Sequence, residues 1–245
     1  MEMEKLYEQI VSRNTRSNDN LCSTLQRPEI YKPLAIINAF FAFQQFSGIF
    51  AIIVYASKFS VEAGVEMDPF LCTVLIGFVR VVATFLVAYV LDTWGRKPPT
   101  IFSGIGMTVC MFGLAFYSLM PEGSLPFSGW MTAFFLLAYI FTSTLGFLTI
   151  PFAMLPELFP QKVRGMTAGL TVCLAYLMSF IVIKLYPSML DAMGNGFVFI
   201  FYGSVSLVGV FFVHFILPET KGKTLEEIEN SFKKKTAPES SDAEI

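Results

Sequence analysis

Long apolar runs separated by short polar connectors dominate the chain. Six of these runs reach the roughly 20 residues that an α-helix needs to cross about 30 Å of hydrocarbon. The predicted spans cover residues 33–57, 70–91, 99–120, 130–155, 165–187 and 196–217. Residues 1–32 are predicted to form a polar linker, and residues 218–245 a tail that is disordered towards its end. The pattern therefore predicts an all-α membrane protein with a bundle of six transmembrane helices at 33–217.

Composition and charge support this prediction and add an orientation. Hydrophobic residues make up 54% of the chain, whereas ordinary soluble domains contain about 45–50% apolar residues. If residues 1–32 are cytoplasmic, 14 of the 17 Lys and Arg residues fall on the cytoplasmic side, and only Lys58 and Lys184 fall outside. Because short cytoplasmic loops carry the Lys and Arg excess, we expect a multi-pass cell-membrane protein with both termini cytoplasmic. The sequence contains no stripe of basic residues of the kind that would indicate nucleic-acid binding.

Four short motifs stand in or between the spans. They read QQFSG in the first span, LDTWGRK after the second, PELFPQKVRG after the fourth and LPETKGKTLEEIE after the sixth. In this order and spacing they resemble the C-terminal half of the sugar porters of the major facilitator superfamily, in particular insect facilitated trehalose transporters and their relatives. The resemblance covers about residues 20–232. It implies the second of two six-helix halves, with the chain beginning inside the linker between them.

The resemblance also implies a function. We expect facilitative transport, by alternating access, of a sugar such as trehalose or a hexose, across a lipid bilayer and together with an N-terminal six-helix half. We expect no cofactor. The alternative is a truncated or regulatory half-protein that binds a solute or a partner half without transporting. Because no Asp or Glu lies at mid-depth in the six spans, uniport is favoured over proton coupling.

Two adjacent amides, Gln44 and Gln45, interrupt the first apolar run. One interpretation is hydrogen bonding between helices inside the bundle. The other is sugar binding, since an amide both donates and accepts hydrogen bonds, as a sugar hydroxyl does. The resemblance implies the second role for both residues. Gly48, which follows one turn later, favours local unwinding of the kind found at midplane sites of transporters.

Several positions where relatives contact the sugar carry different residues here. The resemblance places Phe50, Arg80, Phe152 and Tyr176 along the substrate cavity, with Phe50 in place of an Asn and Phe152 in place of a Trp. Arg80 has two interpretations, because a cation inside a span almost always faces the bundle interior or water. It is either paired structurally, for instance with a carboxylate of the other half, or it donates to solute oxygens, and an anionic solute would suit it best.

Glycines, prolines and charges near the connectors suggest moving parts. Gly48, Gly146, Pro151 and Pro156 are predicted hinge residues, because glycine weakens a helix and proline removes one of its hydrogen bonds. Five charged residues at the predicted cytoplasmic helix ends are expected to form a network, which is hypothesised to latch the two halves together while the cavity faces outward. They are Asp92, Arg96, Glu157, Arg164 and Glu219.

Other functional classes find little support. The four cysteines lie far apart without metal-ligand spacing, so they are interpreted as packing thiols, and no metal site is predicted. His214, the single histidine, is interpreted as an interfacial residue rather than a proton carrier. An intramembrane enzyme would need clustered reactive side chains. The sequence therefore does not predict an enzyme.

Overall fold

The computed structural model describes residues 28–62, 69–120, 128–159, 161, 163–224, 227–228 and 231–232. Seven α-helices form most of this part of the chain, and no strand occurs in it. They are α1 (Pro28–Phe46), α2 (Ile49–Glu62), α3 (Pro69–Trp94), α4 (Lys97–Leu119), α5 (Ser128–Leu145), α6 (Ile150–Leu158) and α7 (Arg164–Phe215). Most of the predicted linker and the end of the predicted tail lie outside the described residues.

Five segments of the described chain are long and apolar enough to cross a membrane. They are Ile30–Tyr55, Phe70–Trp94, Lys97–Leu119, Trp130–Leu158 and Arg164–Phe215. The first joins α1 to α2, and the fourth joins α5 to α6. The fifth contains 52 residues, which at about 1.5 Å per residue is far longer than one crossing requires.

The part of α7 before Gly194 runs in the same direction as α1 and α2. The side-chain amide of Asn38 donates to the hydroxyl of Thr171, at 3.4 Å. Further along, Tyr55 stacks on Tyr186 with ring centroids 4.8 Å apart. Because residue numbers rise together in these two contacts, the two segments are parallel.

The part of α7 after Gly194 runs the other way. Phe43 packs against Phe212 with ring centroids 5.0 Å apart, and Gly48 lies against Tyr202, so residue numbers rise on one side as they fall on the other. The chain therefore reverses within α7. Gly194, with φ +78° and ψ 164°, is the non-helical residue where it does so. The predicted spans end at 187 and resume at 196, whereas the helix continues through this interval except at Gly194.

Burial is uneven across the bundle. The largest fully buried side chains include Tyr139, Tyr202, Phe40, Phe41 and Phe147, which surround the junctions of α1 with α2 and of α5 with α6. By contrast, α3 is the least buried of the candidate spans and exposes large apolar side chains along its length. The packed centre of the bundle therefore lies around the two junctions, where Gln44, Gln45, Gly48 and Gly146 also lie.

Candidate functional site

The first apolar span is broken at residues 47–48, which we call the first break. Gly48 has φ +85°, a conformation that favours glycine. A Cβ atom on Gly48 would lie 2.5 Å from a ring carbon of Tyr202. Both the backbone conformation and the close aromatic ring therefore require glycine here. The break coincides with the QQFSG motif.

The fourth span is broken at residues 146–149, which we call the second break. A Cβ atom on Gly146 would lie 2.5 Å from the Cβ of Ser103 in α4. The Ser103 hydroxyl accepts from the backbone N–H of Phe147, at 3.1 Å, and donates to the carbonyl of Thr142, at 2.7 Å. The second break ends just before α6. Pro151 occupies the first turn of α6, where proline is well tolerated. Pro156 lies inside α6.

Gln44 binds the second break. Its side chain is fully buried, and Nε2 donates to the carbonyls of Phe147, at 2.7 Å, and Leu148, at 2.9 Å. These bonds are of the kind expected from the first interpretation of Gln44, hydrogen bonding between helices inside the bundle. A broken helix leaves backbone carbonyls unpaired, and an unpaired buried carbonyl is costly. The Gln44 amide supplies the donors that these two carbonyls need.

Tyr139, which the sequence analysis did not single out, supplies a matching bond at the first break. Its side chain is fully buried in α5, and its hydroxyl donates to the carbonyl of Ser47, at 2.8 Å. The Ser47 hydroxyl itself donates to the carbonyl of Gln44, at 2.7 Å. Most tyrosines that are buried inside an apolar run form a hydrogen bond through the hydroxyl. The presence of Tyr139 in an apolar run was therefore a sequence signal for a buried hydrogen bond, but it does not identify the residue that accepts the bond.

Gln45 is differently placed. Its side chain is 2% exposed, and Nε2 donates to Oε1 of Gln44 over a long 3.4 Å. Its own Oε1 has no hydrogen-bond partner among the described residues, and neither has the buried hydroxyl of Tyr202. Since Gln44 and Gln45 are both covered by this chain alone, the amides lie inside the bundle and not on its open surface.

The other predicted solute contacts are more accessible. Phe50 and Phe152 are half-buried, and Phe152 meets Phe41 edge to face with ring centroids 4.9 Å apart. Tyr176 is 60% exposed on the first part of α7. Arg80 is half-buried on α3, and its guanidinium has no ion pair or hydrogen bond within the described part of the chain. Among the described residues, no ring contact joins Phe50, Phe152 and Tyr176 to one another.

A second group of polar contacts joins the ends of three helical segments. Arg96 and Glu157 form a two-pronged ion pair, with Nη2 2.6 Å and Nε 3.1 Å from Oε1 of Glu157. The hydroxyl of Thr220 donates to the other oxygen of Glu157. Glu219 accepts from the backbone N–H of Arg96, at 3.0 Å, and of Lys97, at 2.9 Å. We call Arg96, Glu157, Glu219 and Thr220 the charged cluster.

Glu219 caps the beginning of α4. Partial burial alone would raise the pKa of its carboxyl group, but hydrogen bonds from the backbone amides of Arg96, Lys97, Lys221 and Thr220 outweigh burial and lower the pKa below its ordinary value. The neighbouring Gly95 has φ +88°, and a Cβ there would lie 3.0 Å from the carboxylate. The carboxylate therefore supplies the acceptors that the first amides of α4 lack.

Two predicted members of the network stand apart from the charged cluster. Asp92 is exposed and forms no ion pair with another described residue. The guanidinium of Arg164 donates to the carbonyl of Phe159, at 3.3 Å, and to no described carboxylate. The structure thus brings together Arg96, Glu157 and Glu219 of the five predicted residues, and adds Thr220.

No group of three or more metal-ligating side chains occurs in the described part of the chain. Cys72 and Cys110 are buried and Cys173 is exposed, and none of the three forms a disulfide within the described residues. Cys22 lies outside the described residues. His214 is exposed near the end of α7 and packs edge to face on Phe215. These side chains form no shared site within the described region.

Comparisons with known proteins agree on one family. The family model described as "Sugar (and other) transporter" matches residues 1–232. The chain is 35% identical over 230 residues to the facilitated trehalose transporter Tret1-2 homolog of Drosophila simulans, a match that covers 93% of this chain and 47% of that protein. It is 34% identical to trehalose transporter 1 of Drosophila melanogaster, a match that covers 93% of this chain and 27% of that protein. The chain spans about half or less of these relatives.

Solved structures give the same result. The structure of the proton:xylose symporter XylE bound to 6-bromo-6-deoxy-D-glucose matches with a TM-score of 0.73 and 27% identity, covering 93% of this chain and 49% of that one. The inward open conformation of XylE from E. coli matches with a TM-score of 0.69 and 28% identity, covering 92% and 46%. These relatives are transporters and not enzymes. The chain therefore belongs to the sugar transporter family, within the sugar porters of the major facilitator superfamily.

Proposed function

We propose that the chain forms one half of a facilitative sugar transporter. The observation that carries this proposal is the pair of broken helices in the bundle interior, each of which has freed carbonyls that accept from a side chain of the other span. Discontinuous helices near the bilayer midplane form the binding sites of many secondary transporters. The family match supports the same function.

We further propose that the chain crosses the membrane six times, as the C-terminal half. The reversal at Gly194 supports six crossings, because it divides α7 into two antiparallel parts that are each long enough to span. The structural neighbours match over about half their length. The distribution of Lys and Arg supports cytoplasmic termini, with the charged cluster on the cytoplasmic side of the cell membrane.

The proposed solute is a neutral sugar such as trehalose or a hexose. Gln45 is a proposed contact because its Oε1 is an unpaired acceptor next to the first break. Gln44 stays a proposed contact, but its amide must leave the Phe147 and Leu148 carbonyls to reach a solute. Phe50 and Phe152 supply apolar surface for a sugar ring, and Tyr176 and Arg80 lie on more accessible helices.

The proposed partner is a second six-helix segment, in the same polypeptide or a separate one. Support comes from α3, which carries Arg80 among exposed side chains such as Phe78 and Phe85. A cation inside a span requires a polar environment, which neither lipid nor the described part of this chain supplies. A carboxylate on the second segment or oxygens of the solute would provide it.

Reconstitution tests the proposal. Labelled trehalose and glucose uptake is measured in vesicles that contain this chain, the part of trehalose transporter 1 of Drosophila melanogaster that precedes the region matched by this chain, or both. Saturable uptake is expected only with both. Solute binding without flux in the combined vesicles would favour the regulatory half-protein, and absence of both flux and binding would contradict the proposal.

Variants of the two amides then test the site in the combined vesicles. Gln45→Ala should weaken apparent solute affinity by roughly 5-fold to 100-fold, the effect of losing one or two hydrogen bonds to a neutral ligand. Gln44→Ala should weaken it as well and should also lower stability. The matched control is Gly169→Ala, because a Cβ there meets nothing within 4 Å. Unchanged affinity for both Gln variants would make the amides purely structural.

The charged cluster is proposed to act as the latch of the transport cycle. Its bonds in this structure all lie within this chain, where they join α4, α6 and the segment after α7. The proposed latch between the two halves would therefore act by holding these helix ends in place while the cavity faces outward. In the combined vesicles, Arg96→Ala should accelerate labelling of a cysteine placed at position 100 from the side of the cluster. Labelling at the parent's rate would contradict the latch.

A further inference from the structure

The two breaks are joined by a reciprocal pair of hydrogen bonds. Gln44, one turn before the first break, donates to the Phe147 and Leu148 carbonyls at the second. Tyr139, which precedes the second break in α5, donates to the Ser47 carbonyl at the first. Each span therefore carries the donor that satisfies the other span's freed carbonyls. No third helix supplies either of these bonds.

The two breaks are buried too deeply for water to take the place of a lost hydrogen-bond donor. Gln44, Ser47, Tyr139 and Phe147 are all fully buried, so water cannot readily replace a lost donor. A buried carbonyl left without a partner is costly. If one break changed its geometry alone, its carbonyl or its donor would move out of reach of the other span. Both breaks satisfy their backbone only when they keep their present relation.

We propose that Gln44 and Tyr139 are positioning residues that couple the two breaks, so that the first and fourth spans bend as one unit. Loss of either bridge releases both breaks, because the remaining bridge no longer fixes their relation. A solute that draws the Gln44 amide away from Phe147 and Leu148 would release the same unit. That last consequence rests on the proposed function, whereas the coupling itself does not.

Hydrogen exchange of the complete chain in lipid nanodiscs tests the coupling. The readouts are peptides 46–53 and 145–153, whose amides bond across the first and second breaks. Gln44→Met and Tyr139→Phe remove the bridging donors with little change in size. Each should raise exchange at both peptides, by roughly 5-fold to 100-fold, the range expected when a buried carbonyl loses its donor. The double variant should add little to either single variant.

Two matched controls distinguish coupling from ordinary destabilisation. Ser47→Ala removes a hydroxyl that serves only the first break, and Ser103→Ala removes one that serves only the second break. Each control should raise exchange at its own peptide and leave the other unchanged.

The proposal would be overturned if Gln44→Met raised exchange only at 145–153 and Tyr139→Phe only at 46–53. If Gln44→Met fails to fold, Tyr139→Phe decides the question by its effect on peptide 145–153. The readout does not require transport. Failure of the coupling and failure of the proposed transport function are therefore distinguishable.

Discussion

The two breaks and the charged cluster both satisfy backbone groups where helices end, but they do so with different chemistry. At the breaks, neutral donors from Gln44 and Tyr139 reach carbonyls in the fully buried interior. At the charged cluster, the Glu219 carboxylate and the Arg96–Glu157 ion pair hold helix ends that are only partly buried. Neutral bonds avoid the cost of burying charge, whereas charged groups suit helix ends that water still reaches.

The largest expected effect comes from the close packing at the first break. Gly48→Ala should lower the free energy of unfolding by about 2–5 kcal/mol, because it combines a strained positive φ with overlap onto the Tyr202 ring. Denaturation in detergent micelles measures the change. Gly169→Ala is the control and should be neutral or stabilising, since it fills open space on a helix. Equal effects of the two variants would contradict the account of the first break.

A pair of tyrosines tests the value of a neutral bond in the interior. Tyr139→Phe should lower the free energy of unfolding by about 1–3 kcal/mol, because the Ser47 carbonyl loses its buried donor. Tyr202→Phe should change it by less than about 0.5 kcal/mol, since its equally buried hydroxyl has no partner among the described residues. The same denaturation experiment compares them. A larger loss of stability for Tyr202→Phe than for Tyr139→Phe would show that the hydrogen bonds of the two hydroxyls are wrongly assigned.

The charged cluster should differ from the breaks in its response to salt. Arg96→Ala should lower the free energy of unfolding by about 1–2 kcal/mol at low ionic strength, because a two-pronged ion pair is lost at a partly exposed site. The difference should shrink at high ionic strength, since salt screens exposed charges. The effect of Tyr139→Phe should not change with salt. A salt-independent Arg96→Ala effect would point to lost packing of its side chain instead.

The smallest expected effect is a pH dependence of the charged cluster. The pKa of Glu219 is lowered on folding, so the stabilisation it contributes is fully present above the ordinary carboxyl pKa of about 4.3 and is lost as pH falls through the folded value. A carboxylate at a helix N-terminus contributes about 0.3–1 kcal/mol. Stability is measured against pH for the parent and for Glu219→Gln. The two curves should converge at low pH. Parallel curves would contradict the stabilising role of the ionised Glu219 carboxylate.

The sequence by itself indicated long apolar helices, the family and two of the places where helices are interrupted, whereas Pro156 lies inside α6 and Gly194 was not predicted as the residue where the chain reverses. Apolar runs of sufficient length require helices in lipid, and Gly48 and Gly146 stand where the two breaks occur. The sequence also placed Arg96, Glu157 and Glu219 at helix ends. Their residue types and positions follow from local rules, so a linear pattern was enough to predict them.

Only the tertiary structure decided which side chain satisfies which break. Nothing in the spacing of Gln44 indicates that its partners lie 103 and 104 positions further along the chain, and Tyr139 carries no local signal for Ser47. The same holds for Asp92 and Arg164, which have the right charge but no partner in the charged cluster. Local propensity acts over a few residues, whereas a buried hydrogen bond depends on how distant helices pack, and that packing is fixed by the bundle as a whole.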